Sequence, residues 1–135
     1  MVCSEWLFKK QARSGRLLAL VALVATSAAR AEWVAVQGFE DSYYDPSSIH
    51  VEGSKRKVLQ LTDARGKDPS MIALIEYDCS NKKYQLLTAD IFLGPMGTGE
   101  KKPLPMSPPI WKPVKHQIGL QISRLVCSAS AGKKR

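Results

Sequence analysis

The sequence predicts an α+β fold: a small twisted antiparallel β-sheet of five to six strands followed by one C-terminal helix. Three observations carry this. Apolar runs with strand character recur between turn signals from Trp33 to Leu93. The period then changes, because Ile118, Ile122, Leu125 and Val126 fall at i, i+4, i+7 and i+8, the spacing of one helical face. Everything up to Ala31 has the zones of an export signal, which leaves 104 of the 135 residues, the length of one domain.

The signal is read from Lys9, Lys10, Arg13 and Arg16, then the apolar run Leu17 to Ala25, then the small-x-small site Ala29-Arg30-Ala31. The run is too short to span a membrane and is followed at once by Thr26, Ser27 and Arg30. Residues 1–31 are therefore expected to be cleaved, residues 32–127 to form the domain, and residues 128–135 to fray as a basic tail.

Taken in order, Trp33 to Gln37 reads as a first strand and Tyr43-Tyr44 as a second. Asp45-Pro46-Ser47-Ser48 ends the second, since proline presets φ while Asp and Ser bond nearby amides. Ile49 and Val51 restart an extended segment that Glu52-Gly53-Ser54-Lys55 turns back into Val58, Leu59 and Leu61. Ala64 to Pro69 is a loop. Met71 to Tyr77, the tight connection Ser80 to Lys83, and Tyr84 to Leu93 form the strongest hairpin. From Gly94 to Pro113 three glycines and six prolines exclude a central strand or helix, so this is a long loop, with Trp111 expected to return it to the core. His116 to Cys127 is the helix; alternation of Ile118, Leu120 and Ile122 leaves a strand as the other reading.

The formal charge of +8 suggests a polyanionic partner, but its distribution argues against nucleic acid. Five basic residues lie in the signal and three at the extreme C-terminus, and residues 32–132 hold twelve basic against eleven acidic residues. Phosphate neutralisation needs a basic face that such a balance does not promise. No membrane span is expected after the signal.

Removing the signal also removes Cys3, leaving Cys79 and Cys127. Two cysteines in an exported chain are most often a structural disulfide, the alternatives being free thiols or part of a metal site. No C-x-x-C spacing supports redox chemistry or a zinc ribbon. Cys3 precedes the apolar run, so it does not stand where a lipidated cysteine at the cleavage site would.

No catalytic, cofactor-binding or metal-binding residue is assigned. Gly94-Pro95-Met96-Gly97-Thr98-Gly99 lacks the Gly-Lys-Ser/Thr ending of a phosphate loop. His50 and His116 are the only histidines, and a metal or haem site needs more than two residues of unknown separation. Glu40, Asp41 and Asp45 bracket two tyrosines at a spacing that suits turn capping better than acid–base catalysis. The aromatics Trp33, Tyr43, Tyr44, Tyr77, Tyr84, Phe92 and Trp111 are assigned mostly to the core.

The ordered set Trp33-Val34, Tyr44-Asp45-Pro46-Ser47-Ser48-Ile49, Leu61-Thr62-Asp63, Glu76-Tyr77-Asp78-Cys79, Lys83-Tyr84, Gly94 to Gly99, Trp111-Lys112-Pro113 and Leu125-Val126-Cys127 resembles the surface-adhesin protein E family of Gram-negative bacteria. The resemblance implies a helix packed on the antiparallel sheet, a Cys79–Cys127 bridge, surface exposure and binding of host matrix proteins. It carries over no catalytic or cofactor motif. The expectation is a non-enzymatic, adhesin-like binding module of the periplasm or outer surface that recognises a host matrix or envelope protein. Gly94, Pro95, Met96, Gly97, Thr98, Gly99 and Trp111 form its candidate interaction loop. The other expectation is a periplasmic housekeeping or small-ligand-binding protein with a pocket between sheet and helix.

Overall fold

The computed structural model describes residues 30–64 and 68–130. The signal reading for residues 1–29 and the tail reading for residues 131–135 lie outside them. The chain forms β1 (Val34–Ala35), β2 (Ser42–Tyr44), β3 (His50–Glu52), β4 (Lys55–Asp63), β5 (Ser70–Asp78), β6 (Lys83–Phe92), β7 (Lys101–Pro103), β8 (Lys112–Pro113) and the helix α1 (Gln117–Cys127). All pair antiparallel in one sheet of order β1-β2-β4-β5-β6-β7, with β3 also beside β4 and β8 also beside β6.

Eight strands replace the expected five to six. The three long ones were expected as strands, although β4 outruns its apolar stretch Val58 to Leu61 at both ends. The surplus consists of two- and three-residue pieces whose strand character comes from a neighbour's free flank. The first strand is shorter than expected, since Phe39 donates its N–H to the Val36 carbonyl at 3.0 Å and the chain has already turned.

The β5–β6 hairpin is closed by chemistry local to its turn. Asp78 Oδ1 accepts the N–H groups of Ser80 (3.0 Å) and Asn81 (3.1 Å), and Oδ2 accepts the Asn81 side-chain amide (2.8 Å). Asn81, through its side chain and then its backbone, holds the Asp78 carboxyl below the ordinary carboxylate range. Lys82 takes up the left-handed conformation that completes the turn.

One sheet face lies under α1. Val58, Tyr77, Ile122, Val126 and Val36 are buried together, with Ile75, Tyr84 and Ile118 packed against them. The helical reading is therefore the correct one, but Leu125 turns to solvent at 39% exposure, so only Ile118, Ile122 and Val126 of the expected face point inward. Tyr77 alone among the seven aromatics assigned to the core is buried, and the others are half-buried. Burial pushes its phenol up to about 12, against the opposing effect of the 2.7 Å hydrogen bond from Gln60 Nε2.

The end of α1 is tied to the end of β5 by the Cys79–Cys127 disulfide, with Cα atoms 5.7 Å apart. A covalent loop of 48 residues in sequence stabilises by about 4 kcal/mol in the chain-entropy account. That is a large share of the 5–15 kcal/mol holding a typical domain together. Past the helix, Ser128 donates its N–H to the Arg124 carbonyl at 3.2 Å and Arg56 Nε donates to the Ala129 carbonyl at 3.3 Å, so these two residues of the expected tail are held.

Candidate functional site

The candidate loop begins where β6 ends. Leu93 donates its N–H to the Glu100 carbonyl at 3.0 Å, and Gly94 donates to the Thr98 carbonyl at 2.9 Å, which pinches residues 94–99 into one turn. Ser70, almost wholly buried, fastens it: its Oγ donates to the Gly94 carbonyl at 2.6 Å and accepts the Gly97 N–H at 2.8 Å. Gly97 has φ +72°, a conformation that favours glycine, and a Cβ there would stand 2.5 Å from Ile72 Cδ1, so any other residue would be strained and would displace that methyl. The turn is a lid over Leu61 and Ile72, on the face away from α1, and it leaves Pro95, Thr98 and Gly99 at the surface.

Trp111 does not join it. Its ring lies under the ammonium of Lys55, 5.3 Å from the centroid, whereas Gly97 packs near Leu61 toward the other end of β4. Trp111 is half-buried and stands outside the core cluster, so it is not the core plug the sequence suggests.

Between these two ends the chain runs back along the outer flank of β6. Pro103 faces Asp90 and Lys112 faces Tyr84, so eight residues, 104–111, span a stretch that β6 covers with five, 85–89. The excess of three bows outward. Residues 104–110 are all exposed, with Leu104 at 41%, Met106 at 38% and Ile110 at 66%. Under the bow is a trough of about 380 Å³ between Met106, Ile110 and Lys112 on one side and Tyr84 and Leu86 on the other. Leu104 donates its N–H to the Ala89 carbonyl at 2.9 Å, after which Gln85 to Thr88 have no strand partner on this flank among the described residues.

Beside the trough lies a second concavity, of about 280 Å³, at the disulfide, walled by Lys82, Lys83, Val114, Leu120 and Arg124. The two adjoin, because Lys83 faces Pro113 in register and Val114 donates its N–H to the Lys82 carbonyl at 3.0 Å. Sequence reasoning missed this gathering of cations, which comes from the β5–β6 turn, β8 and α1. The exposed Leu104, Met106 and Ile110 were legible as isolated apolar residues among prolines, but not as one surface.

The histidines do not meet. His50 is exposed on β3, and His116 Nε2 lies 3.4 Å from the Tyr84 hydroxyl with the rings edge-on at 6.2 Å. Among the described residues no three His, Cys, Asp or Glu side chains gather as a metal site, and no helix is long and apolar enough to cross a membrane. Asp45 is buried as a cap, accepting the Ser47 N–H at 2.9 Å, in keeping with a structural use of that carboxylate.

Among the described residues the geometry offers exposed apolar and basic surfaces for recognition. Comparison with curated proteins found no match. Among solved structures, the fold is similar to that of protein E from Haemophilus influenzae. The selenomethionine form is 13% identical, with 76% of this chain and 90% of that chain covered and a TM-score of 0.65. Crystal form II is 12% identical, covering 73% and 89%, with a TM-score of 0.63. Protein E from the non-typeable bacterium is also 12% identical, covering 73% and 77%, with a TM-score of 0.61. At such identity the likeness is one of fold. The family profile described as Surface-adhesin protein E matches residues 33–128, nearly the whole of the described domain, and the chain belongs to that family.

Proposed function

We propose that this protein is an exported, non-enzymatic binding module of the cell envelope or surface, adhesin-like, which recognises another protein through the outer edge of its sheet. The observation that carries the reading is the bow at residues 104–111, where three large apolar side chains stand in solvent on a segment without regular structure. Apolar groups held exposed at a surface are what a docking site needs. Family membership supports the adhesive role, and the signal read in residues 1–31 supports export. The glycine turn at 94–99 contributes by fixing where the bow starts, and its exposed Pro95, Thr98 and Gly99 border the contact surface.

One observation favours a small-ligand carrier instead. A concavity of about 230 Å³ opens between sheet and helix, with Ile75 and Ile118 as apolar wall and Gln60, Tyr77, Tyr84 and His116 as polar groups. Ligand pockets run from roughly 300 to 1,000 Å³, so this one is below the usual size and the protein-binding reading leads.

The test is cell fractionation together with binding to immobilised extracellular-matrix proteins. Surface material that binds one of them saturably, and about tenfold more weakly as the Met106→Ser, Ile110→Ser double variant, is expected. A protein found only in the periplasm that binds none of them would sink the adhesive role.

A further inference from the structure

Resting on that reading, we propose that the partner is acidic. It is a protein segment whose carboxylates lie over Lys82, Lys83 and Arg124 at the disulfide-side concavity while one of its apolar side chains enters the trough under the bow, beside Lys112. The starting point is a charge asymmetry along the chain. Between residue 101 and the C-terminus there are eight basic residues and no acidic one, and every acidic residue after the predicted signal lies before residue 101. The fold turns this into an asymmetry in space, because that part of the chain forms the outer edge of the sheet and the helix beside it. The β5–β6 turn adds Lys82 and Lys83 to the same end.

The cluster is not neutralised from within. None of Lys82, Lys83, Arg124 and Lys112 takes part in an ion pair among the described residues, whereas Lys57 reaches Glu76 at 3.8 Å and Lys101 reaches Asp90 at 3.7 Å. Asp78 is the one carboxylate lining the disulfide-side concavity, and although Ser80 and Asn81 hold it charged, it faces the three cations Lys82, Lys83 and Arg124 there. The like charges of Lys82, Lys83 and Arg124 around one concavity repel each other, and a partner bringing negative charge relieves the repulsion as it docks.

One feature selects an acidic protein segment over other polyanions. The trough is walled by Tyr84, Leu86, Met106 and Ile110, a lining that takes an apolar side chain.

The probes are two synthetic peptides of about twelve residues, one alternating glutamate with valine and one alternating lysine with valine. Heparin and phosphatidylglycerol vesicles serve as the other polyanions, and all are titrated against the full chain after signal removal. The glutamate peptide is expected to bind and the lysine peptide not. Raising salt to about 0.3 M, or introducing Lys82→Glu with Lys83→Glu, should each weaken binding about tenfold, since both groups are exposed and screened. Ile110→Ser should weaken it without changing the salt dependence. Equal binding of both peptides, an unaffected charge-reversal variant, or binding of heparin or vesicles but not of the glutamate peptide would overturn the proposal. The same variants run in the matrix-protein assay separate the two readings. Matrix binding that ignores charge reversal leaves adhesion standing and removes the acidic partner. Peptide binding without matrix binding does the reverse.

Discussion

The two edges of the sheet solve one geometric problem in opposite ways. On the β4 side, Tyr44 faces Gln60 and His50 faces Lys57, so residues 45–49 span what β4 covers with residues 58 and 59, an excess of three. On the β6 side the excess between β7 and β8 is again three. The first surplus folds in. Pro46–Ser48 makes a single 3-10 turn, Asp45 caps it from a buried position, and Leu59, whose N–H would otherwise lose its ladder partner, donates to Ser48 Oγ at 2.9 Å. The second surplus folds out, because prolines 105, 108 and 109 supply no N–H with which to turn it back. Equal slips in register thus give a structural plug at one edge and a recognition surface at the other, and the difference lies in which side chains can replace a lost ladder bond.

Substitutions at either edge can break this contrast. Gly97→Ala should act most strongly, because the new methyl meets both Ile72 and a positive φ; we expect a loss of about 3 kcal/mol, read from the denaturant midpoint. Tyr77, in the core between the two edges, gives a reference that involves neither. Its folded pKa of about 12 lies above the ordinary 10, so the unfolded chain loses its proton first as pH rises. Stability is therefore whole below pH 10 and falls by about 2–3 kcal/mol between roughly pH 10 and 12. Tyr77→Phe should flatten that part of the alkaline unfolding profile. Asp45→Ala removes the cap of the inward-folded surplus and should cost about 1–2 kcal/mol. Ile110→Ser in the outward bow should change the midpoint by less than about 0.5 kcal/mol while weakening partner binding. Equal stability losses for the last two variants would show that the edges do not differ as described.

The long strands and the helix were legible because their own residues decide them. Met71 to Tyr77 and Tyr84 to Leu93 have the apolar content of strands whichever neighbour they meet, and Ile118, Ile122 and Val126 define a stripe at any helix position. The edge strands were not. Lys101-Lys102-Pro103 and Lys112-Pro113 have little strand propensity, and they are extended because β6 presents a free flank to them. The candidate site was legible to the same degree. Gly94 to Gly99 announces a turn by composition, but its packing over Ile72 depends on a strand twenty-odd residues earlier. A domain of this length needs bulky side chains to fill its core, which by composition places Trp111 there, whereas in the fold its ring lies half-buried under the Lys55 ammonium.

The outward bow has a further consequence, for how copies of this protein coexist. A bare antiparallel edge as long as β6 would be a template on which a second molecule could add its own strand, and then a third. Here the edge is occupied at both ends by short strands that contain proline, and its middle is overhung by a segment whose backbone cannot continue a ladder. The opening that remains is four residues wide. That width denies the sheet an endless succession of added strands.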